Sequence, residues 1–424
     1  MPVSSRLPVG RTFSASARRA SVVVLAVALL AGGGPALAQQ PPARCSSGAV
    51  PPPPVDSSEV PPPGVPSPGP LPVPSEPIGG DRLGGCGGVR ADGAPEPPSG
   101  ITAASWVIAD LDTGAVLAAD DAHARHRPAS TIKVLTALVA LREFELTDTA
   151  VATQADADRE GSRVGLRPGV TYSVRDLLHG LLMQSGNDAA HALAGMAGGV
   201  HAMVDRMNEL AARLGAHDTR AATPSGLDGP GMSTSAYDLA LIFRTAMQHP
   251  EFAAAVGARH AVLPGPPGQP PLEVWSDNAV LLNYPGALGG KTGYTDDAQH
   301  TFIGAAERDG RRLVAVALRG DNKPKRLSGQ VMDLLDYGFR LDEPVGELVT
   351  AEPRTTTPPA PTPRGAGPLA DTTPTGQDTA GIGVLAAAGA VLAAAALGLA
   401  SALTVRRRRA RGAVNRRRRG DDYL

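Results

Sequence analysis

Cysteine and lysine are both scarce in this chain of 424 residues, which has two cysteines and nine histidines. Neither Cys45 nor Cys86 has a histidine or carboxylate at metal-ligand spacing, and the histidines form no H-E-x-x-H or comparable set. No glycine-rich phosphate loop follows a predicted strand. These absences exclude the common metal and nucleotide signatures, so we predict no metal site and no cofactor.

Positive charge is concentrated at the two ends of the chain. The formal net charge is −1, yet residues 406–424 are rich in arginine and further arginines precede residue 20. The residues between the two ends therefore carry a net charge of about −12. Because nucleic-acid binding needs a basic patch or stripe, we expect no nucleic-acid partner for this acidic middle region.

Both ends also have the features of membrane-targeting segments. An arginine-bearing start, a short apolar run and small residues at 36–38 are typical of a signal peptide, which we place at residues 1–38. Residues 380–405 contain no charged side chain and could cross a bilayer core of about 30 Å as a transmembrane helix. The arginine-rich tail of 406–424 would stay in the cytoplasm. We expect a single-pass cell-membrane protein with an extracytoplasmic globular part.

Proline, glycine, serine and threonine dominate two stretches that flank the globular part. Residues 39–98 and 346–379 bury too little apolar surface to offset the entropy of ordering, so we predict a disordered spacer and a disordered linker. One globular domain is expected at 99–345. Because the spacer is exported, a disulfide between Cys45 and Cys86 could form there, closing a loop without stapling the core.

Strand patterns lie at both ends of the globular part, and helical patterns lie between them. Residues on either side of Asp112-Thr113-Gly114 predict a β-hairpin, and Ser173 with Asp176 predicts a capping box. Helices are predicted at 130–144, 173–183, 200–214, 236–247 and 331–339, and strands at 301–306 and 313–318. This order predicts an α+β fold with one antiparallel sheet completed by distant parts of the chain.

Ser130-Thr131-Ile132-Lys133 lies at a predicted helix start. A spacing of three places the Ser130 and Lys133 side chains on one face, within hydrogen-bonding reach. A helix N-terminus favours negative charge and disfavours a charged lysine, so a neutral Lys133 could take the serine proton. The alternative is a solvated helix face. The chain has only four lysines, at 133, 291, 323 and 325, and lysine can be deprotonated whereas arginine cannot. That scarcity favours a chemical role for Lys133 and Lys291 over chance placement.

Two more motifs follow in the chain. They are Ser185-Gly186-Asn187, at the end of the leucine-rich helix, and Lys291-Thr292-Gly293, ahead of the predicted strand at 301–306. Each motif is weak alone. The three motifs in this order and at these separations resemble the active-site set of penicillin-binding proteins and serine β-lactamases.

The resemblance is specific to the low-molecular-mass D-alanyl-D-alanine carboxypeptidases of peptidase family S11, and it covers about residues 102–339. The blocks that carry it are Arg127 to Lys133, Gly161-Ser162-Arg163, Gln184 to Ala190, and Pro285-Gly286 leading to Gly290-Lys291-Thr292-Gly293-Tyr294-Thr295. It implies a β-lactamase/transpeptidase-like fold, with helices flanking the antiparallel sheet and a helical subdomain beside it.

The same resemblance implies a role for each site residue. Ser130 would be the acylated nucleophile and Lys133 its base, while Ser185 and Lys291 would relay a proton to the departing D-alanine. The oxyanion would be held by the backbone N–H groups of Ser130 and Tyr294. The other implied substrate contacts come from Asn187, Thr292, Gly293 and Arg326. Of these, Thr292 and Arg326 would bind the substrate carboxylate. The implied partners are peptidoglycan stem peptides, as substrates, and β-lactams, as covalent inhibitors.

Three alternatives remain at this point. A serine β-lactamase is one, because Ser276-Asp277-Asn278 matches the S-D-N motif of class A enzymes; its closeness to Lys291 and the lack of an E-x-x-L-N segment count against it. We therefore interpret Ser276 and Asp277 as structural. The second alternative is a penicillin-sensing receptor, although the arginine tail has no recognisable signalling domain. The third is a catalytically silent wall-binding scaffold.

Overall fold

The computed structural model describes residues 49–349. The predicted signal peptide, transmembrane helix and arginine tail lie outside the described residues, as does most of the predicted linker. Within 49–349, none of the helices has the length and apolar character that a bilayer span requires.

A seven-stranded antiparallel sheet forms the centre of the fold. The strands of the chain are β1 (Gly88–Arg90), β2 (Ser105–Asp110), β3 (Ala115–Asp120), β4 (Thr149–Val151), β5 (Thr171–Ser173), β6 (His260–Leu263), β7 (Leu272–Trp275), β8 (Ala287–Thr295), β9 (Gln299–Arg308), β10 (Arg311–Gly320) and β11 (Gly346–Glu347). The central sheet has the order β1-β3-β2-β10-β9-β8, and β11 also pairs with β3. Strands β4 and β5, and strands β6 and β7, form two small separate hairpins. The β8 strand is therefore an edge of the central sheet.

Nine α-helices accompany these strands within the described residues. They are α1 (Lys133–Glu143), α2 (Gln154–Ala157), α3 (Val174–Met183), α4 (Asn187–Met196), α5 (Val200–Leu214), α6 (Ala236–Ala246), α7 (Pro250–Val256), α8 (Ala279–Asn283) and α9 (Leu327–Gly338). The predicted α+β class, with an antiparallel sheet and helices, is confirmed. Each of the five predicted helices has a counterpart, and their bounds differ by a few residues.

The central strand β10 shows how the sheet separates two apolar layers. Its side chains alternate, because successive residues of a strand point to opposite faces. Val314 and Val316 belong to the larger core, which includes α1 and α6, whereas Leu313 and Ala315 pack in the smaller core with α9. The strand is consequently apolar at nearly every position, since both of its faces are covered.

The local sequence explains why α3, the helix that precedes Ser185, begins at its first residue. Ser173 caps α3: its hydroxyl accepts from the N–H of Asp176, and the Asp176 carboxylate accepts from the N–H of Ser173, at 2.9 Å. This confirms the predicted capping box, an arrangement that satisfies two otherwise unpaired N–H groups. The leucine stripe of α3 is buried, which fixes the helix end that leads into Ser185.

The predicted disorder of residues 39–98 does not describe its part within the structure, residues 49–98. Leu83 is buried in the larger core, and β1 pairs with β3. Arg125 is 1% exposed and donates to the backbone carbonyls of Ala49, Leu71 and Pro72 at 2.8, 2.6 and 2.8 Å. The composition of the segment does not reveal that these backbone carbonyls are paired with a donor on the globular part. Likewise, β11 continues the sheet past residue 345.

Cys86 is disulfide-bonded. The other cysteine of the chain, Cys45, lies outside the described residues, and with it the disulfide that the sequence allows between Cys45 and Cys86.

Candidate active site

Ser130 lies on a short 3-10 turn, Ala129–Ile132, that leads directly into α1. The first residue of that helix is Lys133, whose Nζ donates to Ser130 Oγ at 2.8 Å. Ala129 has a φ of +47°, a left-handed conformation that is strained for a residue with a side chain. Such strain is concentrated at functional sites, where the surrounding structure enforces it. The turn thus presents Ser130 Oγ directly to the lysine amine.

Lys133 is completely buried. Besides Ser130, its Nζ donates to Asn187 Oδ1 at 2.7 Å and to the backbone carbonyl of Ser225. Burial holds the pKa of Lys133 well below its ordinary value, and the positive charge of Lys291 lowers it further. Since burial disfavours the charged amine, Lys133 can stand neutral and accept a proton from the Ser130 hydroxyl.

Ser185 lies between α3 and α4 with a φ of +58°. Its Oγ is buried and has no hydrogen-bond partner within the described residues 49–349. Two positions later, Asn187 starts α4 and donates its Nδ2 to the carbonyl of Glu160 at 2.6 Å. A side chain at Gly161 would approach that Nδ2 to 2.7 Å, so glycine is needed for the amide to reach its acceptor. The loop therefore holds a fixed amide beside a buried hydroxyl that has no hydrogen-bond partner among the described residues.

The Lys291-Thr292-Gly293 motif lies on the edge strand β8. Lys291 is 1% exposed and donates from Nζ to the Thr292 carbonyl at 2.7 Å. Burial lowers the pKa of Lys291 to about 8, and the carboxylate of Asp277 opposes that shift. Thr292 is half-buried and Tyr294 is 55% exposed. The strand thus combines a buried amine of lowered pKa with accessible positions on an open edge.

Glycines allow this edge strand to pass the nucleophile. A Cβ at Gly293 would lie 2.9 Å from the backbone nitrogen of Ser130, closer than real Cβ contacts permit. From the other side, a Cβ at Gly226 would lie 2.0 Å from the carbonyl oxygen of Ala129. The Thr301 hydroxyl also ties β9 to this turn by donating to the Pro128 carbonyl at 2.8 Å. The nucleophile is therefore held between two backbone segments that approach too closely for any side chain.

The structure places two other sequence candidates away from these contacts. Arg326 is exposed at the residue before α9, and its guanidinium has no hydrogen-bond or ion-pair partner in the described part of the chain. Ser276 is buried, and its hydroxyl accepts from the N–H of Asn278 at 3.3 Å, while Asn278 caps α8. Ser276 and Asn278 thus shape a turn, as the sequence reading expected of Ser276.

One contributor to the site was missed by the sequence reading. The Ser225 carbonyl binds the Lys133 amine, and backbone atoms carry no residue-type signature. The available signal was Gly226, directly after it, whose φ of +84° requires glycine.

Two groups of side chains within 49–349 have the composition of metal ligands. They are His123 with Asp218 and Asp238, and Glu59 with Asp228 and Asp297. Each group already contains an arginine partner: Arg125 Nε donates to Asp218 at 2.9 Å, and Arg127 binds Glu59 at 2.8 Å through one of its terminal nitrogens. A permanent cation at that position supplies the charge that a metal ion would bring, so we read both groups as ion-pair networks.

The chain is similar to proteins of one known family. A family model described as D-alanyl-D-alanine carboxypeptidase, peptidase S11, matches residues 91–322. The D-alanyl-D-alanine carboxypeptidase DacB2 of Mycobacterium tuberculosis is 48% identical over 258 residues, which cover 60% of this chain and 88% of that protein. DacF of Bacillus subtilis, a protein of the same description, is 31% identical over 245 residues; the match covers 56% of this chain and 62% of DacF, less than two thirds of its length.

Two solved structures are also similar to this chain in fold and in sequence. The crystal structure of a D-alanyl-D-alanine carboxypeptidase from Mycobacterium tuberculosis has a TM-score of 0.59 and 47% identity, covering 61% of this chain and 99% of that one. The Streptomyces K15 DD-transpeptidase has a TM-score of 0.55 and 28% identity, covering 58% of this chain and 99% of that one.

Proposed function

Because the chain belongs to the D-alanyl-D-alanine carboxypeptidase family, we propose that it removes the terminal D-alanine from peptidoglycan stem pentapeptides through an acyl-enzyme on Ser130. The observation that carries this proposal is the pairing of Ser130 Oγ with a fully buried lysine amine at 2.8 Å. A buried lysine with a depressed pKa is the kind of base that can activate a serine.

In the acylation step, Ser130 Oγ attacks the carbonyl carbon between the two terminal D-alanines while its proton moves to Lys133 Nζ. The new C–O bond forms a tetrahedral oxyanion, which the backbone N–H groups of Ser130 and Tyr294 would stabilise. The closeness of Gly293 to the Ser130 nitrogen supports this arrangement, since it places the two backbone segments together.

Collapse of that intermediate breaks the C–N bond, and the leaving amine of D-alanine needs a proton. Ser185 and Lys291 would supply it, because the Ser185 hydroxyl is buried without a partner among the described residues and Lys291 has a pKa of about 8. A group that titrates near the working pH can both give and regain a proton. Water then attacks the ester carbonyl, releasing the shortened peptide and restoring the Ser130 hydroxyl.

Substrate positioning would use the open edge of β8. An extended peptide can add to such an edge through main-chain hydrogen bonds. Asn187 would bind the amide on the acyl side, and Thr292 would bind the terminal carboxylate. Arg326 would add a second carboxylate contact after moving toward the strand, because it is exposed and free of partners in the described part. β-Lactams would acylate Ser130 in the same way and remain attached.

We further propose that the catalytic part works outside the cytoplasm. The support is the sequence, which predicts a signal peptide at 1–38 and a transmembrane helix at 380–405, followed by an arginine-rich tail at 406–424. Protease protection of a C-terminal tag in intact spheroplasts, together with digestion of the globular part, would test this orientation.

The activity is tested with the full chain in detergent, by measuring D-alanine release from a stem pentapeptide and by mass spectrometry after incubation with penicillin. We expect D-alanine release and a stable adduct on Ser130. Rapid turnover of penicillin without D-alanine release would instead indicate a β-lactamase. An adduct without either turnover would indicate a receptor, and neither reaction would indicate a silent scaffold.

A further inference from the structure

Residues 52–59 precede the part of the chain that the family model matches, which begins at residue 91. They form neither a helix nor a strand. Their side chains and backbone nevertheless bind two buried side chains of the globular part, Arg127 and Asp297. We call residues 52–59 the N-terminal brace. Both of its attachment points belong to segments that lead into or out of the active site.

The first attachment point is Arg127, three positions before Ser130. Its side chain is only 3% exposed. Nη1 donates to the Pro52 carbonyl at 2.6 Å, Nη2 donates to Glu59 Oε2 at 2.8 Å, and Nε donates to the other carboxylate oxygen of Glu59. Such a two-pronged pair between arginine and carboxylate fixes geometry as well as charge. Each of the three nitrogens of this buried guanidinium therefore has an acceptor on the brace.

The second attachment point is Asp297, in the turn between β8 and β9. Its carboxylate accepts from the Val55 N–H and, at 3.3 Å, from the Ser58 hydroxyl. Its backbone carbonyl accepts from Arg319 Nη1, on β10, at 3.1 Å. Asp297 Oδ2 also lies 3.9 Å from Arg127 Nε. The brace thus connects the residues before the nucleophile with the turn that ends the strand carrying Lys291-Thr292-Gly293.

A third segment of the site reaches the same place. Thr295, the last residue of β8, donates its hydroxyl to Asp228 Oδ1 at 3.0 Å. Asp228 belongs to the loop whose Ser225 carbonyl binds the lysine amine of the site. Carboxylate oxygens that lie within 4.8 Å of one another come from Glu59, Asp228 and Asp297. The nucleophile turn, the end of β8 and the Ser225 loop therefore meet around the Glu59 carboxylate.

The connection from Arg127 to the nucleophile is short and stiff. Only Pro128 and the left-handed Ala129 separate Arg127 from Ser130. A strained conformation such as that of Ala129 persists only where its surroundings enforce it. A buried guanidinium that loses its acceptors pays a large desolvation cost, so Arg127 would move toward water if Glu59 were neutral. Because proline fixes its own φ, that movement would be passed on to the turn.

We propose that Glu59 is a positioning residue, which holds Arg127 and through it fixes the turn that presents Ser130 Oγ to the Lys133 amine. The proposal rests on the carboxypeptidase mechanism given above. It makes a segment outside the family match a working part of the site. Glu59 acts on the nucleophile turn, so its loss should slow acylation while the non-covalent binding of a β-lactam stays the same.

The test compares Glu59→Gln with Glu76→Gln in the full chain. Glutamine keeps the size of Glu59 but removes its charge, and Glu76 is an exposed carboxylate of the same N-terminal region. Single-turnover acylation of Ser130 is measured over a range of β-lactam concentrations, which separates the acylation rate constant from the dissociation constant of the non-covalent complex. A displacement on the order of 1 Å can cost about 10²-fold in rate, so we expect a loss of about tenfold in the acylation constant of Glu59→Gln. Glu76→Gln should keep both wild-type constants.

A double-mutant cycle with Arg127→Gln tests whether Glu59 acts through Arg127. If it does, the double variant should be acylated no more slowly than Arg127→Gln alone, because the interaction is already lost. A contact that only stabilises the fold would lower the melting temperature and leave the acylation constant of the folded protein unchanged. If Glu59→Gln does not fold, Glu59→Asp takes its place, since the shorter side chain cannot meet both guanidinium nitrogens.

A wild-type acylation constant in the folded Glu59 variant would overturn the proposal, and so would additive losses in the double variant. Absence of a Ser130 adduct in the wild-type chain would instead overturn the proposed function, so the two failures are distinguishable.

Discussion

Replacing Lys133 by arginine tests whether the lysine acts as a base or only as a cation. Both side chains can carry a positive charge, and both can donate hydrogen bonds to Asn187 Oδ1 and the Ser225 carbonyl, as Lys133 does. Arginine, however, cannot lose its proton in a protein. If the role of Lys133 is to accept the Ser130 proton, Lys133→Arg should be nearly as damaging as Lys133→Ala.

The size of the effect follows from the geometry. Lys133 Nζ lies 2.8 Å from Ser130 Oγ, within the range for direct proton transfer. Loss of a positioned base costs about 10²-fold to 10⁴-fold in rate, or about 2.7 to 5.5 kcal/mol in the activation free energy. Arginine is also larger than lysine, and Lys133 is completely buried, so overpacking should lower the free energy of unfolding by about 1–3 kcal/mol. Rates must therefore be normalised to the folded, active-site-titratable fraction.

The assay is single-turnover acylation by a β-lactam, together with kcat/KM for D-alanine release. Lys325→Arg is the matched control: Lys325 is exposed and pairs with Asp333 at 2.6 Å, an ion pair that arginine can retain. We expect wild-type rates for that variant. Retention of more than about a tenth of wild-type kcat/KM by Lys133→Arg, a penalty under about 1.4 kcal/mol, would refute the neutral-lysine role.

Three further predictions concern other parts of the same site and its support. Ser130→Ala should abolish the penicillin adduct and leave the circular dichroism spectrum unchanged. An adduct found on another residue by mass spectrometry would show that Ser130 is not the nucleophile. Ser185→Ala should slow acylation by about 10²-fold to 10⁴-fold, whereas Ser276→Ala should have little effect, and the reverse order of defects would overturn our choice of second motif. Arg125→Met should lower the free energy of unfolding by about 3 kcal/mol, because it leaves Asp218 and three carbonyls without their donor; an unchanged melting temperature would contradict this.

The fold could be predicted from sequence wherever one physical signal dominated. The leucine stripe and capping box of α3 reflect burial and N–H pairing that are local to the helix, so both were predicted. The β2–β3 hairpin was also predicted, because a glycine lies between two strand patterns; in the structure Gly114 has a φ of +85° in that turn. By contrast, the strand β8 contains three glycines and has low strand propensity. It forms a strand because its neighbour β9 pairs with it. Glycine is needed where the strand passes the Ser130 turn, because that turn leaves no room for a side chain.

The site was predictable only as far as side-chain identity carries chemistry. Motif spacing singled out Ser130, Lys133 and Asn187, and the structure links these three through the lysine amine. It could not indicate the Ser225 carbonyl, because any residue supplies one, nor the left-handed Ala129, because alanine rarely adopts that conformation. Contacts made by backbone atoms and by strained conformations depend on the tertiary structure alone.

The segment at 49–98 shows why composition misjudges such a stretch. Proline removes backbone donors but leaves every carbonyl as an acceptor, so a proline-rich chain carries more acceptors than it can pair by itself. The globular part carries the complementary excess: the guanidinium of Arg125 is buried, and such a group needs acceptors on all its nitrogens. Three backbone carbonyls of the segment accept hydrogen bonds from the Arg125 guanidinium, and the Pro52 carbonyl accepts one from Arg127. The entropy of ordering the segment is therefore offset by donors that lie outside it, which a test of the segment's own hydrophobicity cannot detect.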